Sequence, residues 1–409
     1  DRSVSRGLGD VYKRQELLCM REEVYRLQAK RKKQKQDIVS INHLAKKIKD
    51  KEKQVNAIYL MAKYANTTHD YSSAIIEAKK IIVLGDIKDD LFWKGKAYQQ
   101  WGRALRMLDK YKQAEEILIK ALNIFTEIKN ESKKATVLEN LGAMYQSTGD
   151  YEKALTYFEQ ILQIWQHKGD KIGEGHTLYN IAVTYQTIGN FEKAIASTQK
   201  SLQIRREIGD YAGEVYSLNN LGVIAFLLSD FDKAEGYFEQ VAQMSKKIGN
   251  LESQCSALSN LSLIYSNKGA YQQAEKYSKA ALKIYRHIES KSGIASMLIN
   301  LGSNAMAQGD LAQAKNYAEQ SIAICKEIGQ KPYLSYAFNN MGSALYDLGD
   351  YKNSKRYFEL SHEIEQELGN KQGESDSFVN LAVIAQQMSE NEQALSYLKQ
   401  AMDLSLIHI

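Results

Sequence analysis

The residues of this sequence that combine regular spacing with a capacity for chemistry are asparagines. Asparagine recurs every forty residues through seven repeats, at Asn140, Asn180, Asn220, Asn260, Asn300, Asn340 and Asn380. Its amide is both an acceptor and a donor, so a single side chain can bond the C=O and the N–H of a peptide unit. Because asparagine costs a helix interior roughly half a kcal/mol relative to alanine, a hydrogen-bonding role should compensate at each position.

Other reactive residues show no catalytic pattern. The histidines are scattered, and the closest pair, His167 and His176, lacks the spacing of a metal-binding helix motif. Gly169, Gly173 and Gly175 follow a helical pattern, whereas a phosphate-binding loop follows a strand. The sequence therefore predicts no enzyme, no cofactor and no metal site.

The cysteines provide no disulfide framework. Cys255 and Cys325 occupy positions that packing residues fill in other repeats, and Cys19 has no His or Cys partner at ligand spacing. No long apolar run indicates a membrane span. These features favour a reducing, cytoplasmic setting.

The forty-residue period predicts pairs of helices. An aromatic residue or leucine opens the second half of each unit, at Tyr71, Tyr111, Tyr151, Phe191, Phe231, Tyr271, Leu311 and Tyr351. The patterns L-x2-L-G-x2-Y over residues 138–145 and A-x3-F over residues 154–158 have helical spacing. Between them, Gly149 can end one helix in the left-handed conformation and Asp150 can cap the next. Each unit should bury its apolar face against its neighbours.

This pattern resembles the tetratricopeptide repeats, in a longer form similar to that of Pins-type adaptors, kinesin light chains and bacterial peptide-pheromone receptors. The resemblance covers about residues 52–405, or nine helix pairs. It implies an all-α fold, a right-handed α-solenoid or superhelix whose first helices line a concave surface. It also implies that the asparagines form a ladder that binds the backbone of an extended peptide. The alternatives are that duplication copied them without selection, or that each bonds a neighbouring repeat.

The repeat phase divides the chain into a basic helical segment, residues 16–51, and a solenoid, residues 52–403. The solenoid pairs are expected at residues 52–86, 89–129, 130–169, 170–209, 210–249, 250–289, 290–329, 330–369 and 370–403. Residues 1–15 have no helical period, and residues 404–409 replace the expected end of a repeat helix. Both stretches resemble translated sequencing adapters, so we expect non-native tails on a protein that is naturally longer at both ends. The alternative is a genuine disordered tail.

The basic character of the chain is local. Residues 16–53 contain twelve Lys and Arg against six Asp and Glu, with apolar residues at the spacing of one or two amphipathic helices. The run from Lys30 to Lys35 has the composition of a nucleic-acid or membrane-surface patch, but aromatic residues for stacking on bases are few. We therefore expect residues 16–51 to cap the solenoid or to form a homodimer as a short coiled coil, and we do not expect a nucleic-acid partner.

Side chains one turn from the asparagines should set specificity. They are His176, Tyr179, Tyr216, Asn219, Phe226, Tyr336, Asn339 and Tyr346. Lysine and arginine are scarce at these positions, which argues against a two-carboxylate clamp for a chaperone C-terminus, another use of the resembled family. We expect a protein or peptide ligand with apolar or aromatic anchors, and no small-molecule substrate.

The sequence thus predicts a protein–protein interaction scaffold or adaptor. Two alternatives remain open. The array can be the sensor of a larger bacterial signalling protein, such as a histidine kinase, cyclase or DNA-binding regulator, whose effector domain is missing. It can also be a peptide-pheromone receptor.

Overall fold

The computed structural model describes residues 2–27, 30–47, 49–84 and 90–407, with side chains described for residues 13–26, 30–47, 49–84 and 90–405. Twenty helices and no strand occur in these ranges. The helices are α1 Arg2–Leu27, α2 Arg31–Lys47, α3 Lys51–Thr67, α4 Tyr71–Val83, α5 Asp90–Met107, α6 Tyr111–Glu127, α7 Glu131–Ser147, α8 Tyr151–Lys168, α9 Lys171–Thr187, α10 Phe191–Glu207, α11 Tyr211–Leu227, α12 Phe231–Ile248, α13 Leu251–Asn267, α14 Tyr271–His287, α15 Lys291–Ala307, α16 Leu311–Ile328, α17 Lys331–Asp347, α18 Tyr351–Leu368, α19 Lys371–Gln387 and α20 Asn391–Ile407.

The helices belong to two compact units, residues 1–204 and residues 205–409, with the boundary inside α10. Consecutive helices pack on one another, from α1 to α9 in the first unit and from α11 to α20 in the second. This confirms the predicted all-α solenoid of helix pairs. The first helices of successive pairs also contact each other directly, α3, α5 and α7 in the first unit and α11, α13, α15 and α17 in the second. They form one continuous face within each unit.

The recurrent motif residues form the contact between the two helices of a pair. In α7, Leu138 and Leu141 are fully buried, and Phe158 of α8 packs beside Gly142. A Cβ atom on Gly142 would lie 2.8 Å from the Phe158 ring, so glycine is needed where the two helices approach. Burial of each large apolar side chain contributes roughly 1.5–3 kcal/mol.

Many of the turns have the predicted left-handed glycine at the end of one helix and the predicted cap at the start of the next. Gly149 has a φ of 80°, and Asp150 accepts a hydrogen bond from the backbone N–H of Lys153 at 3.2 Å. Other turns place a side-chain-bearing residue at positive φ, namely Lys49, His69, Asp109, Lys129, Ser229, Glu289 and Ser389. This conformation costs such residues about 1–2 kcal/mol. It persists because the helices on both sides are fixed by packing.

The basic N-terminal segment folds into an additional helix pair. Arg21 of α1 donates two hydrogen bonds to the Asp37 carboxylate of α2, at 2.8 and 2.7 Å. Ile41 of α2 is fully buried and packs with Leu18 of α1 and Ala57 of α3. The pair therefore stacks on the first repeat, in agreement with the capping alternative, while the homodimer stays a prediction.

The two ends of the chain differ locally from the sequence expectation. The sequence predicts no helical period in residues 1–15, yet α1 begins at Arg2 and continues into the amphipathic segment. Extending an existing helix is far easier than nucleating one, so the amphipathic part supports the less regular part. Helix α20 likewise continues to Ile407, into the stretch 404–409. Residues 1, 408 and 409, and the predicted pair boundary at residues 86–89, lie outside the described residues.

Candidate functional site

The asparagine column lies at the boundary between core and solvent. Its members stand near the middle of α7, α9, α11, α13, α15, α17 and α19, the first helices of successive pairs. The residue after each asparagine is a core residue, as the buried Leu141 and Leu301 illustrate. Asn220 is itself buried, and the other six asparagines are half-buried.

Two of the amides bridge neighbouring first helices. Asn340 of α17 donates to the Ile299 carbonyl of α15 at 2.9 Å and accepts a bond from the Ser303 hydroxyl at 3.3 Å. Asn380 of α19 donates to the side-chain oxygen of Asn339 in α17 at 3.0 Å. At these positions the alternative interpretation holds, because the asparagine connects one repeat to the next.

Four other amides, at Asn140, Asn180, Asn260 and Asn300, form no hydrogen bond to a neighbouring first helix among the described residues. Asn140 donates to the Thr136 carbonyl one turn earlier in its own helix, at 2.8 Å. The side chains of Asn180, Asn260 and Asn300 have no hydrogen-bond partner within the described part of the chain. The column is therefore not uniform, and these three half-buried amides can bond a ligand without breaking an existing contact.

Three of the predicted specificity residues project from the first helices. His176, Tyr216 and Tyr336 occupy equivalent repeat positions and are exposed. The imidazole Nδ1 of His176 lies 3.5 Å from a carboxylate oxygen of Glu139 in the preceding first helix. Each of these side chains can reach a ligand that lies on the first-helix face of its own unit.

Two other predicted aromatic residues, Phe226 and Tyr346, pack within their own repeats. The Phe226 ring lies 5.5 Å from the Phe231 ring, and the Tyr346 ring lies 5.6 Å from the Tyr351 ring. In both cases the partner opens the second helix of the same pair. Tyr179 is half-buried. The structure thus provides an internal packing role for Phe226 and Tyr346.

Asn219 and Asn339, each of which directly precedes an asparagine of the column, have different environments. Asn339 holds the amide of Asn380, as described above. The side-chain oxygen of Asn219 is buried and accepts no hydrogen bond from any described residue. A buried acceptor without a donor is costly, so Asn219 would gain from a donor that enters the face.

A small cleft opens beside the column in the first unit. It has a volume of about 230 Å³, and its walls include Trp165, His176 and Asn180. An indole, an imidazole and an available amide therefore converge on one space. The volume lies below the roughly 300–1,000 Å³ of typical small-molecule sites, and it suits one anchoring side chain of a longer ligand.

A group of cationic residues on α3, α5 and α7 was not among the site residues predicted from the sequence. Lys63 and Arg103 occupy the repeat position that holds Val183 and Val223 further along the chain, and Lys96 occupies the position of His176. This correspondence was available in the sequence. It places these cations on the same helix face as the asparagine column.

Lys96 has an aromatic environment. Its ammonium lies 3.7 Å from the ring centroid of Tyr59 and 4.1 Å from that of Trp93. Burial, together with the positive charges of Lys133 and Lys63, lowers the pKa of Lys96 to about 7. The side chain therefore loses its proton near neutral pH when no anion is bound.

The thiols and the carboxylates offer little further chemistry. Burial raises the pKa of Cys255 and of Cys325 to about 11, so neither is a ready nucleophile. No group of three or more His, Cys, Asp or Glu among the described residues could hold a metal ion. Across the same residues, no helix has the length and apolarity to cross a bilayer.

The family model for the tetratricopeptide repeat matches residues 95–167, 133–207, 173–247, 253–327 and 333–406. The chain belongs to the tetratricopeptide repeat family. Solenoids of such repeats present extended surfaces suited to protein interaction. Comparison with curated protein sequences finds no match.

Solved structures share the fold at low sequence identity. The apo form of the quorum sensor NprR from B. thuringiensis has a TM-score of 0.59 and 18% identity, over 87% of this chain and 100% of that one. A Rap protein complexed with Competence and Sporulation Factor has a TM-score of 0.55 and 16% identity, over 86% and 97%. A signal-transduction ATPase with a tetratricopeptide repeat sensor, from Pyrococcus horikoshii, has a TM-score of 0.60 and 20% identity, over 85% and 50%.

Proposed function

We propose that this chain is a protein-interaction scaffold that binds an extended peptide, or a disordered segment of a partner, along its first helices. The observation that carries the proposal is the pair of available amides on Asn260 and Asn300. They occupy equivalent positions on α13 and α15, which contact each other directly. Packed helices lie roughly 8–10 Å apart, which is the length of about three residues of extended chain. Successive amides can therefore bond separate peptide units of one ligand.

The surroundings of these amides favour an uncharged ligand with apolar anchors. Tyr216 and Tyr336 are 50% and 55% exposed, and Leu263 and Val383 are also exposed on first helices. A single backbone hydrogen bond contributes only about 1 kcal/mol net. Affinity would therefore come from several amides together with one or two anchored side chains.

A sensor function is a second candidate for the same face. What supports it is the similarity of fold to the quorum sensor NprR, to the Rap protein complexed with Competence and Sporulation Factor, and to half of the Pyrococcus ATPase that has a tetratricopeptide repeat sensor. Under this candidate the bound segment is a signal, and the chain either acts as a peptide-pheromone receptor or regulates an effector domain. Both candidates require peptide binding by the first helices.

The test selects peptides from a random display library against the full chain and measures their affinity by fluorescence anisotropy. The double substitution Asn260→Ala and Asn300→Ala should weaken the selected peptide by about tenfold or more, since two backbone hydrogen bonds are lost. The matched control is Asn123→Ala with Asn316→Ala, which removes two exposed amides from the second helices α6 and α16.

The control variant should bind like the wild type. The proposal is wrong if no peptide is selected, or if the two double variants have the same affinity.

A further inference from the structure

Three lysines, Lys63, Lys96 and Lys133, lie on the first helices α3, α5 and α7. Lys63, Lys96 and Lys133 form no ion pair with any described residue. Their charges act on one another, because Lys133 contributes to lowering the pKa of both Lys63 and Lys96. Three ammonium groups that repel each other, on successive first helices, form a site of high positive potential.

Two acidic residues that act on Lys63 are already bound to other side chains. Glu22 and Glu23 of α1 are the acidic residues whose charges reach Lys63. Glu22 accepts a hydrogen bond from the Gln34 amide at 2.7 Å, and Glu23 pairs with Arg26. Neither carboxylate forms an ion pair with a lysine of the cluster.

The environment of Lys96 keeps its ammonium group poorly hydrated. The ring of Phe92 lies 5.2 Å away, in addition to the rings of Tyr59 and Trp93. Contact with aromatic faces stabilises a cation by about 0.5–2 kcal/mol, which does not replace the water that burial removes. An anion placed beside Lys96 would supply the missing interaction.

One arginine extends the cationic surface along α5. Arg103 follows Lys96 by two helical turns and occupies the same repeat position as Lys63. Its charge acts on the neighbouring Arg106, whose pKa is lowered first by burial and then by Arg103. Arg106 itself occupies the repeat position of Phe226 and Tyr346, which pack within their own repeats, so it is not counted as part of the lysine surface.

We propose that this face of α3, α5 and α7 is a receptor for an acidic segment of a protein partner, whose carboxylates bind Lys63, Lys96 and Lys133. The three lysines stand on three successive first helices, and packed helices lie roughly 8–10 Å apart. One small anion cannot span that distance, whereas an extended chain with several carboxylates can. The site uses other helices than Asn260 and Asn300, so its failure would leave the proposed function untouched.

The first test measures binding of a fluorescein-labelled oligoglutamate peptide to the full chain by anisotropy at low salt. The double substitution Lys96→Gln and Lys133→Gln should raise the dissociation constant by about tenfold or more. The matched control is Lys112→Gln with Lys120→Gln, which removes the same net charge from exposed positions of α6. The control should change the affinity by less than about threefold, as expected for screened surface charges.

A second measurement separates the site from general attraction between opposite charges. Because Lys96 is partly deprotonated above pH 7, a bound carboxylate should restore its proton. Calorimetry at pH 8 in two buffers of different ionisation enthalpy should therefore show uptake of up to about one proton by the wild type. The variant Lys96→Gln should show none.

Several results would overturn the proposal. These are the absence of oligoglutamate binding, an equal loss of affinity in the α6 control, and proton uptake that persists in Lys96→Gln. Equally tight binding of inorganic phosphate would overturn the assignment to an extended segment. Equally tight binding of oligothymidylate would overturn the assignment to a protein partner.

Discussion

The first helices α3, α5 and α7 and the first helices of the second unit belong to the same kind of helix pair, but they carry different side chains at equivalent positions. Those of α3, α5 and α7 include lysines and an arginine, whereas the second unit has aromatic or apolar residues at several of these positions. Lys96 of α5 occupies the repeat position that Tyr216 and Tyr336 occupy in α11 and α17. Lys63 and Arg103 likewise stand where the second unit has Val223, Leu263 and Val383, or a serine in α15 and α17. The helix pairs fix where each side chain lies, and the residue at each position then determines which ligand the face can bind.

The largest effect expected from the difference between these surfaces is on the free energy of unfolding, which should depend on pH because Lys96 is half-buried. The pKa of Lys96 is about 7 in the folded chain and 10.5 ordinarily, so the unfolded state binds more protons between these values. The cost of burying Lys96 is therefore greatest below pH 7 and declines as the pH rises towards 10.5. We expect Lys96→Met to raise the free energy of unfolding by more than about 1 kcal/mol at pH 6, and by less at pH 9.

Urea unfolding followed by tryptophan fluorescence measures this, because Trp93, Trp101 and Trp165 all lie in the first unit. The control Lys120→Met should show no comparable change with pH. If Lys96→Met has the same effect at both pH values, Lys96 is not a destabilised cation. That result would contradict the difference in charge between the two surfaces.

A smaller effect separates the two kinds of asparagine in the second unit. Asn340→Ala removes the bond to the Ile299 carbonyl and should lower the free energy of unfolding by about 1 kcal/mol. Asn300→Ala removes no side-chain hydrogen bond to a described residue. Because alanine is the better helix former, stability should stay equal or rise by about half a kcal/mol. Circular dichroism during urea unfolding compares the two. Equal losses of stability would indicate that both asparagines are structural.

The sequence was sufficient for the helix pairs because their signals are local. Gly149 and Asp150 end one helix and start the next through contacts within a few residues, and Gly142 allows close packing of Phe158 in the same pair. The asparagine column was equally visible, and its position on the first helices follows from the period.

Hydrogen bonds and aromatic contacts between different repeats could not be predicted from such local signals. The bond of Asn340 to Ile299 depends on the distance between helices of different pairs, and the same residue type at Asn260 makes no such bond. The aromatic environment of Lys96 combines Tyr59 of α3 with Trp93 of α5. Residues 2–15 of α1 are helical although their sequence has no apolar period that would predict a helix.

The central claim is that the first helices bind protein segments through two chemically distinct surfaces. Hydrogen exchange of the full chain, measured with each ligand in turn, tests it most directly. Ligand binding stabilises the helices that it contacts and slows their exchange. The account predicts that oligoglutamate slows exchange in α3, α5 and α7, and that the library-selected peptide slows exchange in α13 and α15. Protection of the same helices by both ligands, or protection confined to the second helices of the pairs, would contradict it.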